Sequence, residues 1–184
     1  MKPPLLRRAL MATAITLIAL PATTAAAAED DSAPSSGVIA EFEGSTINLA
    51  EGWGDANACS VTADGTTCYR TEAEMDAAVA ATASTAARLS HEIGPLGVCS
   101  TSLRLYDGTS FDGQVVSFTT TGSLITLSSY GFDNKTSSYK VGACAATLYS
   151  GIQTSPYPGN TGAGAQATSM LSGWDNTISS VLMP

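Results

Sequence analysis

Two stretches in the second half of the chain share a run of oxygen-bearing residues. Residues 129–138 read Ser-Tyr-Gly-Phe-Asp-Asn-Lys-Thr-Ser-Ser, and residues 171–180 read Leu-Ser-Gly-Trp-Asp-Asn-Thr-Ile-Ser-Ser. In a turn, Asp-Asn-x-x-Ser offers carboxylate, amide, hydroxyl and main-chain carbonyl oxygens within a few residues. Because calcium is bound by about six to eight oxygens of these kinds, the pattern points to calcium binding.

The alternative interpretation is that the same residues only shape turns. Asp and Asn tolerate left-handed backbone conformations and hydrogen-bond to their own main chain, so they are common in turns that bind no metal. A single copy would not separate the two interpretations. A second copy at a matched spacing favours calcium.

The spacing of the two copies indicates an internal duplication. Asp133 and Asp175 lie 42 positions apart, and Tyr106 and Tyr149, each preceded by leucine, lie 43 apart. Each implied unit is too small to bury an apolar face alone. We therefore expect two units that pair to form one core.

At these residues the chain resembles the βγ-crystallin family. Residues 133–138 and 175–180 match that family's calcium motif, Asn/Asp-Asn/Asp-x-x-Ser/Thr-Ser, and residues 106–113 match its Tyr/Phe-x4-Tyr/Phe-x-Gly hairpin. The resemblance covers residues 99–184. It implies a mainly β fold, a β-sandwich of two Greek keys related by a pseudo-twofold axis.

The second unit departs from the family's hairpin pattern. Its aromatic-x-Gly sequence, Tyr157-Pro-Gly159, comes three residues later than the pattern requires. We expect a longer, irregular hairpin there. The calcium motif itself is intact in both copies.

The resemblance implies two calcium sites that the two loops share. Each ion would take a serine hydroxyl and a nearby carbonyl from one loop and an aspartate from the other, with hairpin carbonyls near Thr109 or Ser155 and water completing the shell. Because about one carboxylate reaches each ion, we expect micromolar to millimolar affinity. The predicted metal ligands are Asp133, Asn134, Lys135, Ser137, Asp175, Asn176, Thr177 and Ser179.

Residues 1–28 have the pattern of a secretory signal peptide: basic residues, an apolar stretch from Ala9 to Leu20, and an alanine-rich run before Glu29. The apolar stretch is shorter than the roughly 20 residues that a membrane-spanning helix needs. We therefore expect a secreted, extracellular protein without a membrane anchor. Without the signal, five basic side chains oppose sixteen acidic ones, and the net charge of −11 argues against nucleic acid as a partner.

The four cysteines predict two disulfide bonds, because an exported chain meets an oxidising environment. Cys59 and Cys68 flank a turn signal at residues 63–65, and local pairing favours Cys59–Cys68 and Cys99–Cys144. The alternative, a zinc site with four cysteine ligands, lacks the paired C-x-x-C spacing that such sites show.

The rest of the chain divides into a flexible leader at 29–37, a small β-rich segment at 38–70 and a connecting helix at 71–94. The β-rich segment is so small that it needs a disulfide or a neighbour to stay folded. A capping box, Thr71 to Glu74, begins the helix, and Gly94-Pro95 ends it. We expect the helix to pack on a sheet through residues repeated every three or four positions: Met75, Val79, Thr82, Ala86, Leu89 and Ile93.

No catalytic centre emerges from the sequence, whose single histidine, His91, stands isolated at the end of the predicted helix. The leading interpretation is a secreted, non-catalytic, monomeric calcium-binding protein. One alternative is an inhibitor of secreted metalloproteases with a reactive loop at 151–160, because some secreted bacterial inhibitors resemble this fold and carry two disulfides. The other alternative is an adhesin that binds cell-wall polysaccharide through exposed aromatic residues.

Overall fold

Short strands make up most of the computed structural model, which describes residues 36–90 and 102–184. Within these ranges there are twelve strands, one α-helix and two 3-10 turns, so the predicted mainly β class is confirmed. The description excludes the side chains of residues 86–90. The predicted signal peptide, most of the predicted leader, His91 and Cys99 lie outside the described residues.

The strands before the helix form two hairpins, and those after it form two units of four. The hairpins are β1 (Ile39–Phe42) with β2 (Ser45–Asn48), and β3 (Ala58–Thr62) with β4 (Gly65–Tyr69); helix α1 spans Glu72–Ser90. The first unit contains β5 (Leu103–Tyr106), β6 (Val115–Phe118), β7 (Leu124–Thr126) and β8 (Ser138–Lys140). The second contains β9 (Thr147–Ser150), β10 (Ser155–Pro156), β11 (Gln166–Ala167) and β12 (Ser180–Leu182). Both 3-10 turns, Thr109–Phe111 and Leu127–Tyr130, belong to the first unit.

The two four-strand units exchange their third strands. The larger sheet has the order β11-β8-β5-β6-β3-β4-β1-β2, and the smaller sheet has the order β10-β9-β12-β7. The third strand of the first unit, β7, therefore pairs with β12, and the third strand of the second unit, β11, pairs with β8. In each unit the fourth strand lies beside the first, as in a Greek key. The predicted Greek-key β-sandwich is confirmed.

One buried core lies between the two sheets. Leu105 of β5 and Val116 of β6 project from the larger sheet into the same cluster as Leu148 of β9 and Val181 of β12 from the smaller sheet, and all four are fully buried. Because side chains alternate along a strand, the intervening residues point to the outer faces. Each such buried aliphatic side chain stabilises the fold by about 1.5–3 kcal/mol.

The N-terminal hairpins continue the larger sheet. β3 pairs in parallel with β6, so that Cys59 lies opposite Val116, and β1 pairs in parallel with β4. The neighbour that the β-rich segment requires is therefore the edge of β6. Cys59 also lies opposite Cys68 across the β3–β4 hairpin, and the predicted disulfide joins them. The second bond, Cys99–Cys144, stays a prediction because Cys99 lies outside the described residues.

Helix α1 covers part of the outer face of the larger sheet with its first turns. Met75 is fully buried there and packs with Ala58, Tyr106 and Val115. Val79, one turn further on, is 38% exposed. A helix this rich in alanine has good helix propensity but buries little surface, so most of its described length stays in solvent. No helix among the described residues is long and apolar enough to cross a membrane.

Polar contacts fix the start of the helix. The hydroxyl half of the predicted capping box is present, because the Thr71 hydroxyl accepts a hydrogen bond from the Glu74 N–H at 3.2 Å. The Glu74 carboxylate accepts from the Arg70 N–H at 3.1 Å, one residue before the position that a capping box uses. The Arg104 guanidinium on β5 donates to the Glu72 carboxylate at 2.6 Å and to the Asp76 carboxylate one turn later. These ion pairs join the first two turns to the sheet, where Arg104 is mostly shielded from solvent.

Truncating Met75 tests how much of the helix packs on the sheet. Met75→Ala leaves a cavity in the buried cluster, so we expect the free energy of unfolding to fall by about 2–5 kcal/mol. Val79→Ala should cost less than about 1 kcal/mol, because this side chain is already partly in solvent. Urea unfolding of both variants measures the difference, and equal losses would contradict the described packing.

Candidate metal site

The two Asp-Asn-x-x-Ser-Ser loops meet where the two Greek keys join. The Asn134 N–H donates to the Ile178 carbonyl at 2.9 Å, and the Asn176 N–H donates to the Thr136 carbonyl at 3.1 Å. Each loop thus uses the same position to donate and the same position to accept. The loops are related by a local pseudo-twofold, as the duplication predicts.

Both asparagines adopt the left-handed backbone conformation. The φ angles of Asn134 and Asn176 are 54° and 55°. Asparagine accepts this conformation more readily than most residues with a side chain, because its short amide can hydrogen-bond locally. The turn-forming property of the motif and its supply of oxygens therefore act together in this fold.

A serine of each loop reaches an asparagine of the other loop. The Ser137 hydroxyl donates to Asn176 Oδ1 at 3.4 Å, and the Ser179 hydroxyl donates to Asn134 Oδ1 at 3.2 Å. The structure therefore brings together four of the predicted ligands as two hydroxyl–amide pairs. Each pair combines one oxygen from each Greek key.

Main-chain hydrogen bonds on both sides hold these serines in place. The Ser137 N–H donates to the Tyr106 carbonyl at 2.8 Å, and the Ser179 N–H donates to the Tyr149 carbonyl at 2.9 Å. The carbonyl of each serine in turn accepts a hydrogen bond from the other unit, Ser137 from Met170 and Ser179 from Leu127. These hydrogen bonds fix the main chain of both serines, so their hydroxyl groups are held between the two loops.

The aspartates orient the asparagine amides. Asp133 accepts a hydrogen bond from Asn134 Nδ2 at 3.2 Å, and Asp175 accepts one from Asn176 Nδ2 at 3.3 Å. With its nitrogen held by the carboxylate, each amide directs its oxygen to the serine of the other loop. The structure brings the asparagine of each loop into contact with the serine of the other and leaves the adjacent aspartate, the cross-loop calcium ligand that the resemblance implies, exposed beside this pair.

The second serine of each motif supports a hairpin, a role that sequence reasoning missed. Ser138 is fully buried, and its hydroxyl donates to the Gly108 carbonyl at 2.6 Å and accepts from the Phe111 N–H at 3.1 Å. Ser180 makes the same contacts in the second unit, with the Gly151 carbonyl at 2.7 Å and the Gln153 N–H at 3.3 Å. The hairpin anchor is thus retained although the second hairpin has a different sequence. The sequence signal that could have indicated this role is the presence of the second serine in both copies of the motif.

The oxygens at the loops fit calcium. Two oxygens 3.2–3.4 Å apart can both approach one ion at the usual calcium–oxygen distance of about 2.3–2.6 Å. The Lys135 and Thr177 carbonyls, two residues before the serines, accept no hydrogen bond from the described residues. Within the described ranges no three His, Cys, Asp or Glu side chains come together as a metal-binding group. The oxygens that do meet at the loops are hydroxyl and amide oxygens with a carboxylate beside them, and such donors suit calcium better than zinc.

Aromatic side chains pack next to the second loop. Trp174, directly before Asp175, packs edge-to-face on Tyr157 at 5.4 Å, and Tyr157 packs in the same way on Tyr139 at 5.8 Å. The Tyr139 hydroxyl donates to the Asn160 carbonyl at 2.8 Å. Burial, reinforced by the neighbouring Tyr157, raises the pKa of Tyr139 to about 12.

Two Greek keys packed as one β-sandwich, with their motif loops paired, are the arrangement that the family resemblance implies. Residues 103–182 have a βγ-crystallin-type fold. The two halves of this βγ-crystallin-type domain are the units β5–β8 and β9–β12, and the motif loops lie at their junction.

Comparisons with solved structures find similarity to βγ-crystallin domains. A βγ-crystallin from Ciona intestinalis is 18% identical over 45% of this chain and 99% of its own, with a TM-score of 0.38. A βγ-crystallin domain from Clostridium beijerinckii is 19% identical over 45% of this chain and 95% of its own, with a TM-score of 0.32. No protein-family model and no curated protein matches the chain.

Removing a hairpin-supporting serine hydroxyl should destabilise the βγ-crystallin-type domain. In Ser138→Ala the Gly108 carbonyl and the Phe111 N–H lose their shared partner, so we expect the free energy of unfolding to fall by about 1–3 kcal/mol. Ser180→Ala should have a similar effect in the second unit. The exposed Ser128→Ala serves as the control and should stay within about 0.5 kcal/mol of wild type in urea unfolding. A loss as small in Ser138→Ala would contradict the assigned role.

The raised pKa of Tyr139 predicts a loss of stability in alkali. A tyrosine that ionises later in the folded chain than in the unfolded chain stabilises the fold fully below the unfolded pKa of about 10. That contribution disappears as the pH rises through the folded value of about 12. Urea unfolding between pH 9 and pH 12 should show a shallower decline in Tyr139→Phe than in wild type. An unchanged decline would show that burial of this hydroxyl has no part in it.

Proposed function

We propose that this chain is a secreted, non-catalytic calcium-binding protein whose βγ-crystallin-type domain binds two ions between its motif loops. The observation that carries the proposal is the pair of reciprocal hydroxyl–amide contacts across the two loops. A turn-forming role alone requires Asp and Asn within each loop. It does not require the same side-chain oxygens to meet across the loops twice.

Each proposed site takes oxygens from both Greek keys. In one site, Ser137 Oγ and the Lys135 carbonyl come from the first loop, and Asn176 and Asp175 come from the second. In the other site, Ser179 Oγ and the Thr177 carbonyl are matched by Asn134 and Asp133. Calcium usually takes about six to eight oxygens, and water and hairpin carbonyls would supply the remaining ones. Calcium supplies a charge that joins the two Greek keys.

The proposed affinity is modest, because about one carboxylate belongs to each site. Calcium sites with few charges in extracellular modules have dissociation constants of about 10⁻⁴–10⁻³ M, and the range we propose extends to micromolar values. With a dissociation constant of about 30 μM and about 1 mM calcium, one site would stabilise the fold by about 2 kcal/mol. The metal would therefore act as a structural lock in an extracellular setting.

Secretion is part of the proposal. It is supported by the signal-peptide pattern of residues 1–28 and by the Cys59–Cys68 disulfide. The excess of acidic residues, which attracts cations, supports the calcium binding instead. Binding of a metalloprotease and binding of a polysaccharide stay predictions from the sequence.

Calcium titration tests the proposal. Isothermal titration calorimetry of the purified protein should show two ions bound, and the melting temperature should rise by about 4–8 °C for every 2 kcal/mol gained. The double variant Ser137→Ala, Ser179→Ala removes one oxygen from each site and should lose most of this rise. Ser172→Ala, an exposed serine outside the two motifs, should behave as wild type.

A melting temperature that does not respond to millimolar calcium would contradict the proposed function. A rise of equal size in the wild type and in the double serine variant would place the calcium elsewhere. Magnesium at the same concentration provides the selectivity control, because its small, octahedral coordination shell suits these mixed oxygens less well.

A further inference from the structure

Trp53 contacts the stretch that leads into the first motif loop. Its indole N–H donates to the Tyr130 carbonyl at 2.7 Å, and its ring packs against Phe132 with the ring centres 5.7 Å apart. Trp53 is almost completely buried. The contact joins residues 77 positions apart and ends directly before Asp133.

Gly131 lets the N-terminal segment approach this stretch. It has a φ of +62°, and a Cβ added there would lie 2.2 Å from the Leu49 carbonyl oxygen. The Val38 N–H donates to the Ser129 carbonyl at 2.7 Å and extends the same contact. Residues 37–53, which we call the N-terminal brace, therefore touch the chain at positions 129–132.

Among the described residues, the second loop has no equivalent contact at the matching glycine. Gly173 lies 42 positions after Gly131 and has a φ of +81°, but a Cβ added there would meet nothing within 4 Å. Trp174 occupies the position of Phe132 and packs within its own unit, on Tyr157. The pseudo-twofold of the site is therefore broken by a brace that supports one loop only.

We propose that the N-terminal brace holds the first motif loop in its metal-binding conformation and that Trp53 is the positioning residue. The inference rests on the proposed calcium binding and adds a regulation of it. If the first loop adopts its metal-binding conformation for only a fraction of the time, the apparent calcium affinity is reduced by that fraction. The brace increases the fraction and therefore the apparent affinity. By linkage, calcium must in turn stabilise the docking of the brace by the same factor.

A matched pair of glycine variants tests the brace. Gly131→Ala and Gly173→Ala both place a Cβ on a left-handed backbone, but only the Cβ at 131 collides with the brace. We expect the calcium dissociation constant from calorimetry to rise about fivefold in Gly131→Ala, the equivalent of one lost hydrogen bond, and to change less than twofold in Gly173→Ala.

Trp53→Phe provides a second variant in case Gly131→Ala does not fold. It keeps an aromatic ring facing Phe132 and removes the indole donor to the Tyr130 carbonyl together with one of the two fused rings. We again expect a rise of about fivefold in the dissociation constant. Far-UV circular dichroism and melting confirm that each variant is folded before titration.

Amide hydrogen exchange separates the inference from the proposed function. Without calcium, the Asn134 N–H, which is bonded across the loops, should exchange faster in Gly131→Ala than in Gly173→Ala if the brace orders the first loop. With calcium, exchange of the Val38 N–H should slow about fivefold in wild type, as linkage requires.

The outcomes are distinguishable. No calcium binding by the wild type contradicts the proposed function, and the calcium-free exchange of Asn134 then decides whether the brace orders the loop. Calcium binding with equal affinity in wild type, Gly131→Ala and Trp53→Phe overturns the inference and leaves the proposed function intact. Equal Asn134 exchange in the two glycine variants also overturns it.

Discussion

Each Greek key in this protein depends on the other, because each gives its third strand to the opposite sheet. β7 completes the smaller sheet beside β12, and β11 completes the larger sheet beside β8. A unit of about 42 residues cannot bury an apolar face alone, and the exchange solves this by placing both inner faces against one core. After its exchanged third strand, each unit returns to its own sheet as the fourth strand. The segment that enters this fourth strand lies at the junction between the two units. The motif loops precede β8 and β12 directly, so they are brought together by the requirement to close the core.

The oxygens between the loops follow from that junction. Ser137 and Ser179 are fixed through their main chains by the first strand of their own unit and by a residue of the other unit. Their hydroxyl groups then meet asparagine amides whose orientation the neighbouring aspartates set. Within each motif, the negative charge is therefore on the aspartate beside the site, whereas the neutral asparagine amide makes the contact with the serine. The ion that we propose for such a site would be bound moderately and would contribute mainly by joining the two halves.

The additions outside the βγ-crystallin-type domain give its two halves different surroundings. Two hairpins lengthen the larger sheet from the edge of β6, and the start of helix α1 covers its outer face around Met75. The loop between β2 and β3 brings Trp53 onto the stretch that leads into the first motif loop, whereas the second loop is supported by Trp174 and Tyr157 of its own unit. Within the described residues, the first loop is thereby supported by the N-terminal brace and the second by its own unit. This asymmetry is the basis of the proposed coupling between the N-terminal segment and metal binding.

Local spacing made several features predictable: the duplicated motif, the capping box at Thr71 and the Cys59–Cys68 bond across a tight turn. The parallel pairing of β3 with β6 and the contact of Trp53 with Tyr130 were not predictable, because neither leaves a periodic pattern in residues so far apart. The second hairpin shows the same division, since Ser180 anchors it although its sequence departs from the first. The sequence by itself determined which kinds of oxygen lie in each loop and which residues accept a left-handed turn, because these are properties of neighbours in the chain. Only the tertiary structure decided which oxygens meet, that asparagine and not aspartate contacts each serine, and that one loop alone is braced, because those contacts arise from strands exchanged between distant segments.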